Sequence, residues 1–370
     1  TAQDGTQRRI GVIKLPAFYQ DFEGRRRNAA DYASATRDVA RLLAGFKSDG
    51  VDGVVLDLRN NGGGSLDEAI ELSGLFIDQG PVVQVRESGG RVVVNSDRKP
   101  GVAWEGPLAV LINRGSASAS EIFAGAMQDY GRGLVIGETT FGKGTVQNIV
   151  DLDRWQRDTD QNYGQLKLTV AQFFRVSGSS TQHKGVVPDI SFPVSVDASE
   201  FGESTYDNAL PWTRIAQVPH EQYGDFQPLV AQLQARHQER VGQDLEFGWW
   251  KEDVDQFRAE TERKSISLNE AERRAERDTQ EAKRQQRQQQ RRVLGLELDP
   301  LADESDDGLT GNERDIVADA AREKAAEKRP DPLLRESAAI LGDAIGLLDV
   351  DVQLASRVLP RSTVNGRWSH

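Results

Sequence analysis

A serine-rich segment and a glycine-flanked lysine carry the residue types that could do covalent chemistry in this sequence. Residues 113 to 147 read NRGSASASEIFAGAMQDYGRGLVIGETTFGKGTVQ, with Lys143 between two glycines. A serine hydroxyl becomes a good nucleophile when a neighbouring base takes its proton, and a lysine can be that base if burial lowers its pKa. The glycines would let a ligand backbone approach Lys143 closely. The segment predicts acyl transfer by serine and lysine.

The position of Ser118 favours it as the nucleophile. An alanine-rich helix is predicted from about Ser118 to Tyr130, so Ser118 lies beside free backbone N–H groups and the positive end of the helix dipole. Both features stabilise an oxyanion, and the N–H of Ala119 is a candidate donor. Spacing alone leaves Ser116 and Ser120 open as alternatives.

A second oxyanion donor must come from another loop. The glycine turn after the strand VVLDLR offers Gly63 or Gly64, and it is either a tight strand-to-helix connection or a functional nest. The chain has no cysteine, which excludes a thiolate nucleophile and a disulfide framework. Of the four histidines only His183 falls in the predicted core, so a Ser-His-Asp arrangement has few candidates.

Alternating strands and helices must position these residues. Apolar runs predict strands at residues 9–16, 51–58, 108–112, 134–136 and 166–176. Helical spacing predicts helices at residues 31–47, 66–76 and 118–130. This order of elements indicates an α/β core.

The composition changes near residue 200, where glycine and β-branched runs give way to Glu, Arg, Gln and Ala. We therefore predict two domains, a core at 1–200 and a helical domain at 201–370. The stretch 253–292 is interpreted as one long solvated helix or arm, and 332–359 as an amphipathic helix pair.

The overall charge and hydropathy exclude some classes of partner. The chain has 46 basic and 58 acidic residues and a net charge of −12, which disfavours nucleic acid and anionic lipid. No run approaches about 18 apolar residues, so stable membrane insertion is not expected. Met127 is the only methionine, and a processed or trimmed product is expected.

Four strings in order carry a family resemblance: DLRNNGGGSL, SASASEIFAGAMQDYGR, GETTFGKGTVQ and KGVVPDI. They resemble the successive motifs of the C-terminal-processing (tail-specific) peptidase family, S41. The similarity runs from about residue 9 to residue 195, and the charged tail resembles the family's C-terminal helical domain. Several motifs at matching separations are more specific than any one of them.

The resemblance implies a role for each matching position. The nucleophile falls on Ser118 and the general base on Lys143, with Gln147 orienting the lysine. The oxyanion hole matches Gly63 and Ala119, with Gly64 as its neighbour. Positions implicated in activity, which we interpret as supporting structure, fall on Asp129, Glu121 and Thr140.

The resemblance also implies a fold, a substrate class and a location. The fold is a crotonase-like or ClpP-like spiral core followed by a mainly helical C-terminal domain. The function is cleavage of proteins with unstructured or apolar C-terminal tails, without metal or cofactor. A periplasmic location and a helical-repeat adaptor lipoprotein are expected. The PDZ domain that the family usually carries is expected to be missing, because nothing before residue 9 could form one.

Two other classes of function compete with this one. The string GETTFGKG resembles a P-loop, but glycine occupies residue 144, where the loop needs a Ser or Thr to bind Mg²⁺. A non-catalytic scaffold could bind extended peptides by strand addition. Both Ser118 and Lys143 are present, which a degenerate binder does not require.

Overall fold

Strands and helices alternate along the first half of the chain, and helices fill most of the second. The structure is a computed structural model that describes residues 5–153, 162–194, 200–302 and 316–358. The strands are β1 (Ile10–Lys14), β2 (Gly53–Asp57), β3 (Gly80–Glu87), β4 (Val92–Asp97), β5 (Leu108–Ile112), β6 (Leu134–Gly137), β7 (Thr145–Asp151), β8 (Gln165–Phe174) and β9 (Ile190–Ser191). The helices are α1 (Phe22–Arg26), α2 (Ala35–Ser48), α3 (Leu66–Ser73), α4 (Ala119–Asp129), α5 (Gln227–Val241), α6 (Leu245–Glu262), α7 (Glu270–Leu294), α8 (Ile316–Ala326), α9 (Pro332–Val350) and α10 (Val352–Val358).

The larger of the two sheets is parallel and has five strands in the order β1-β2-β5-β6-β9. Successive side chains of a strand point alternately into two apolar cores, one on each face of the sheet. Val54 and Leu56 of β2 belong to the core that includes residues of α2, α3 and α4. Val55 belongs to the other core, which α5, α6 and α9 complete. Strands covered on both faces read as continuous apolar runs. The predicted α/β core followed by helices is therefore confirmed.

Three loops that follow neighbouring strands carry the candidate chemistry. The glycine turn follows β2, the serine segment follows β5, and the lysine loop follows β6. These strands are adjacent and parallel, so their carboxyl ends lie at the same edge of the sheet. The sheet therefore brings together loops that are far apart in the sequence.

A second, antiparallel sheet has the order β4-β3-β8-β7. Strand β8 pairs with β3 only over residues 171–174, whereas β7 pairs along most of its length. Among the described residues, the stretch 165–170 therefore has strand partners on one side only. This leaves an open edge where β8 extends beyond β3.

The helical region differs in two ways from its prediction. Residues 253–292 are not one helix, because α6 ends at Glu262 and α7 begins after Asn269, whose side chain accepts the N–H groups of Ala271 and Glu272 as an N-cap. The second helix of the pair predicted at residues 332–359 is the short helix α10. No helix in the described ranges is long and apolar enough to span a bilayer.

Two compact units divide the described chain. One comprises the residues up to Val254 together with those from Leu333, and the other lies between Asp255 and Pro332. The helices α5 and α9 belong to the first unit with the parallel sheet. The domain boundary that the sequence predicts at residue 200 is separate from this division into compact units, and it stays a prediction.

Candidate active site

Ser118 begins α4 in a strained backbone conformation. Its φ of 58° and ψ of −111° lie outside the regions that non-glycine residues favour, as occurs at functional sites. A Cβ added at Gly63 would lie 2.8 Å from the Ser118 Cβ and 3.0 Å from the Ala119 nitrogen. Only glycine, at its φ of +106°, allows the turn to approach this closely. The structure thus brings Gly63, Ser118 and Ala119 together.

The three candidate serines have different surroundings. Ser116 and Ser120 are fully buried, and their hydroxyls donate to the carbonyl oxygens of Leu58 and Asn61, each at 2.8 Å. Ser118 is partly exposed. The hydroxyls of Ser116 and Ser120, the two alternatives to Ser118, therefore hold the serine segment against the residues that precede the glycine turn.

The predicted oxyanion donors differ in availability. The Gly63 N–H donates to Asn61 Oδ1 at 2.9 Å, and Asn61 Nδ2 donates to the Leu15 carbonyl at 2.8 Å. The N–H groups of Gly64 and Ala119 have no acceptor in the described part of the chain. In this conformation Ala119 and Gly64 offer unpaired donors, and Gly63 would have to leave Asn61 first.

The glycines beside Lys143 make room for another part of the protein's own chain, whereas we predicted that they would make room for a ligand. A Cβ at Gly142 would lie 2.9 Å from the His183 carbonyl carbon, and a Cβ at Gly144 would lie 2.9 Å from the Gln182 nitrogen. The protein's own turn fills the space expected for a ligand. The loop continues into strand β7, whereas a P-loop continues into a helix, so the nucleotide-binding alternative is wrong.

The amine of Lys143 lies in a partly buried environment beside Gln147. Its Nζ donates to Gln147 Oε1 at 3.2 Å. Burial lowers the pKa of Lys143, and Lys167 lowers it further, while Glu203 and Glu121 oppose both effects. Among the hydrogen bonds of the described residues, none joins Lys143 Nζ to the Ser118 hydroxyl.

The buried carboxylate of Glu121 connects the serine segment to the lysine loop. Its Oε2 accepts the backbone N–H groups of Ser118 at 2.7 Å and Lys143 at 2.9 Å. Its Oε1 accepts the Thr140 hydroxyl at 2.7 Å and the Gly142 N–H at 2.8 Å. Burial raises the pKa of Glu121 to about 7, although these four donors favour the ionised form. Glu121 and Thr140 are therefore at the centre of the site.

Asp129 lies at the other end of α4, away from the two loops. Its carboxylate accepts two hydrogen bonds from Arg175, at 2.6 Å and 3.0 Å, in a bidentate pair that is largely buried. Arg175 follows β8, so the pair fixes the C-terminal end of α4 against the second sheet. This geometry gives Asp129 a structural role.

Three polar residues of this site escaped prediction: Asn61, Gln182 and Glu203. The string DLRNNGGG contained a signal for Asn61, because a short amide before a glycine turn often bonds backbone groups. The other two come from irregular segments with no motif. The His183 Nε2 lies 2.8 Å from the Leu210 carbonyl. No cluster that could hold a metal ion occurs within the described ranges.

Two family models match almost the whole chain in succession. Residues 9–192 match the model of peptidase family S41, and residues 196–346 match the C-terminal domain of tail specific protease. The chain belongs to peptidase family S41. The family resemblance of the four motif strings is thereby confirmed.

Two relatives each match more than half of the chain. The tail-specific protease of Haemophilus influenzae is 44% identical over 279 residues, which is 74% of this chain and 38% of that protein. The chloroplastic carboxyl-terminal-processing peptidase 2 of Arabidopsis thaliana is 38% identical over 52% of this chain and 33% of its own length. The chain thus spans between a third and two fifths of these relatives.

Among solved structures, a photosystem II D1 C-terminal processing protease is 33% identical, with a TM-score of 0.40. The match covers 50% of this chain and 42% of the other.

Proposed function

We propose that this chain is the catalytic part of a serine endopeptidase in which Ser118 is the nucleophile and Lys143 the general base. The observation that carries the proposal is the shared acceptor Glu121 Oε2, which limits the separation of the Ser118 and Lys143 backbone nitrogens to the sum of two hydrogen-bond lengths. Membership of family S41 supports the same chemistry. Rotation of the flexible lysine side chain away from Gln147 would bring its amine to the hydroxyl.

The reaction begins when neutral Lys143 accepts the Ser118 hydroxyl proton as Oγ attacks the carbonyl carbon of the substrate. Burial supports the neutral amine, because removing an ammonium from water favours its deprotonation. When the tetrahedral intermediate collapses, the C–N bond breaks and Lys143 returns the proton to the leaving amine. Water then attacks the acyl-enzyme with the same base, which releases Ser118. Gln147 accepts from the lysine amine between these steps.

The developing oxyanion accepts hydrogen bonds from backbone N–H groups. Ala119 offers one donor at the N-terminus of α4, where the helix dipole also favours negative charge. Gly64 offers the second in the present conformation, and Gly63 becomes a donor if Asn61 releases it. Thr140 and Glu121 hold the backbone donors and the base in their relative positions, and Asp129 fixes the C-terminal end of α4.

The substrate we propose is an unstructured or apolar C-terminal tail that binds as an added strand. Among the described residues, the open edge at residues 165–170 offers backbone groups with no strand partner, whereas residues 171 and 172 pair with both β3 and β7. Leu166 and Leu168 are 48% and 47% exposed on this stretch and provide apolar contacts. Backbone pairing makes recognition tolerant of sequence.

We also propose a periplasmic location and a helical-repeat adaptor lipoprotein as partner. Both proposals rest on the family resemblance that the four motif strings carry. Fractionation of native cells and cross-linking of the intact protein test them. Recovery of the protein in the cytosolic fraction contradicts the location, and the absence of a cross-linked lipoprotein contradicts the partner.

The catalytic assignment is tested with Ser118→Ala and Lys143→Ala, and with exposed Ser88→Ala and Lys47→Ala as matched controls. Each variant is incubated with an unfolded polypeptide, and its fold is checked by circular dichroism. We expect both site variants to lose about 10³-fold or more in kcat while the controls stay near wild type. A folded Lys143→Ala variant that cleaves at the wild-type rate would falsify the base assignment.

A further inference from the structure

A short segment after the α/β core is fixed against the lysine loop. Glu203 begins a 3₁₀ helix at Glu203–Thr205, and its N–H donates to the Phe141 carbonyl at 3.1 Å. The rings of Phe201 and Tyr206 pack around Phe141, with centroids 5.4 Å and 6.4 Å away. Phe141 precedes Lys143 by two residues. A backbone hydrogen bond and two aromatic contacts therefore hold Glu203 beside the base.

Gln182 connects Glu203 to the peptide group that follows the base. Its Oε1 accepts the Gly144 N–H at 2.8 Å, and its Nε2 donates to Glu203 Oε1 at 3.2 Å. The side chain is fully buried. A carboxylate can only accept, so Glu203 requires the amino group of Gln182 to face it and the carbonyl group to face Gly144. The orientation of the buried amide thus depends on Glu203.

Two side chains hold the lysine loop from opposite ends. Glu121 accepts the N–H groups of Gly142 and Lys143, and Gln182 accepts that of Gly144. Three successive peptide groups are therefore fixed by acceptors from distant parts of the chain. A buried N–H that lost its acceptor would cost more than the bond contributes, so each acceptor restricts the loop.

We propose that Glu203 is a positioning residue for Lys143: it orients Gln182, and Gln182 holds the peptide that follows the base. This role rests on the proposed function and gives the segment matched by the tail-specific C-terminal model a part in the chemistry of the S41 core. Glu203 does not touch the reacting atoms.

The charge of Glu203 also acts on the base. Burial and Lys167 lower the pKa of Lys143, whereas the carboxylates of Glu203 and Glu121 raise it. Removing the charge of Glu203 leaves the lowering effects less opposed. The neutral amine would then form at a lower pH.

The test compares Glu203→Gln with Glu200→Gln, a matched control on an exposed neighbour. We expect the acidic limb of kcat/KM against pH to move about half a unit lower in Glu203→Gln. We also expect kcat on the plateau to fall about two- to tenfold, because a glutamine at residue 203 can donate as well as accept and no longer requires Gln182 to present its amino group. Glu203→Asp should keep the wild-type limb. In a Gln182→Ala background, Glu203→Gln should reduce kcat little further, because the link is already broken.

A second readout does not depend on activity. The Lys143 amine is titrated by NMR in Ser118→Ala and in Ser118→Ala/Glu203→Gln after isotope-labelled methylation of lysines, and a lower midpoint in the double variant is expected. Superimposable titrations, together with a plateau kcat equal to that of Glu200→Gln, would overturn the role of Glu203. Failure of the proposed function appears differently, as full activity of Lys143→Ala, and the NMR titration then decides the role of Glu203 alone.

Discussion

The backbone N–H groups of Ser118 and Lys143 donate to the same oxygen atom, Oε2 of Glu121. The two residues come from loops after neighbouring parallel strands, and the fully buried carboxylate fixes how far apart their backbones lie. Glu121 is therefore a residue on which the relative position of the proposed nucleophile and the proposed base depends.

Glu121→Gln should separate the two loops. An amide has one acceptor oxygen and two N–H donors, so it leaves some of the four groups that donate to Glu121 without an acceptor. We expect a loss of about 2–3 kcal/mol in the free energy of unfolding and about 100-fold or more in kcat. Urea unfolding and cleavage of an unfolded polypeptide measure both, with exposed Glu262→Gln as control. Wild-type kcat in a folded Glu121→Gln variant contradicts the assignment.

The raised pKa of Glu121 makes its contribution to stability depend on pH. Its pKa is about 7 in the folded protein, against 4.5 for an ordinary glutamate, so the folded state binds this proton more tightly. The resulting stabilisation is complete below pH 4.5 and is lost as the pH rises through about 7. The unfolding free energy of wild type relative to Glu121→Gln should fall across this window and then level off. A difference that rises with pH in urea titrations would show that the sign is wrong.

The parts of the fold that were predictable are those with a strong local pattern. Strands β2 and β5 are buried on both faces, so their residues form continuous apolar runs that predict buried strands. The sequence analysis did not predict the antiparallel pair β3 and β4, although the Gly89-Gly90 turn between them indicates a hairpin. The covering of the sheet by α5 and α9 depends on contacts between residues that are distant in the sequence, which no local pattern contains.

The sequence identified the proposed reactive groups of the site but not most of the residues that support them. Ser118 and Lys143 stand out by type, neighbouring glycines and motif. The connection from Gly144 through Gln182 to Glu203 could not be predicted, because it joins three irregular segments whose proximity is a result of the folded sheet. The family resemblance pointed to Glu121 as a supporting residue, but only the structure shows the four hydrogen bonds that it accepts.

Lys167→Met tests the electrostatic environment of the proposed base with a change of opposite sign to Glu203→Gln. The positive charge of Lys167 lowers the pKa of Lys143, so its removal should raise that pKa. The acidic limb of kcat/KM against pH should move about half a unit higher. Exposed Lys47→Met, which has no such effect on Lys143, serves as control. A limb that moves lower in Lys167→Met contradicts the direction of this interaction.

The three serines should respond differently to removal of their hydroxyls. Ser116→Ala and Ser120→Ala each remove one of the two donors to a backbone carbonyl, which keeps the N–H of Asn61 or of Ala117 as its other donor. We therefore expect a cost of about 0.5–1.5 kcal/mol in the free energy of unfolding, with kcat reduced less than about tenfold. Ser118→Gly should be inactive yet about 1 kcal/mol more stable than Ser118→Ala, because glycine tolerates a φ of 58°. Denaturation and kinetics on the same samples measure both quantities. An inactive, folded Ser120→Ala would instead point to another nucleophile.

The exposed leucines of β8 should affect substrate binding without affecting the fold. Leu166 and Leu168 lie on one face of the strand beside its open edge, and each is about half exposed, so little packing is lost when both become serine. We expect KM for a polypeptide with an apolar tail to rise about tenfold in the double variant, kcat to change little, and stability to change by less than about 0.5 kcal/mol. Val92→Ser is the matched control, because Val92 is 41% exposed on the edge strand β4, which does not pair with β8. A substrate with a polar tail should show no such rise in KM, and equal KM values for wild type and double variant with the apolar tail would place the binding edge elsewhere.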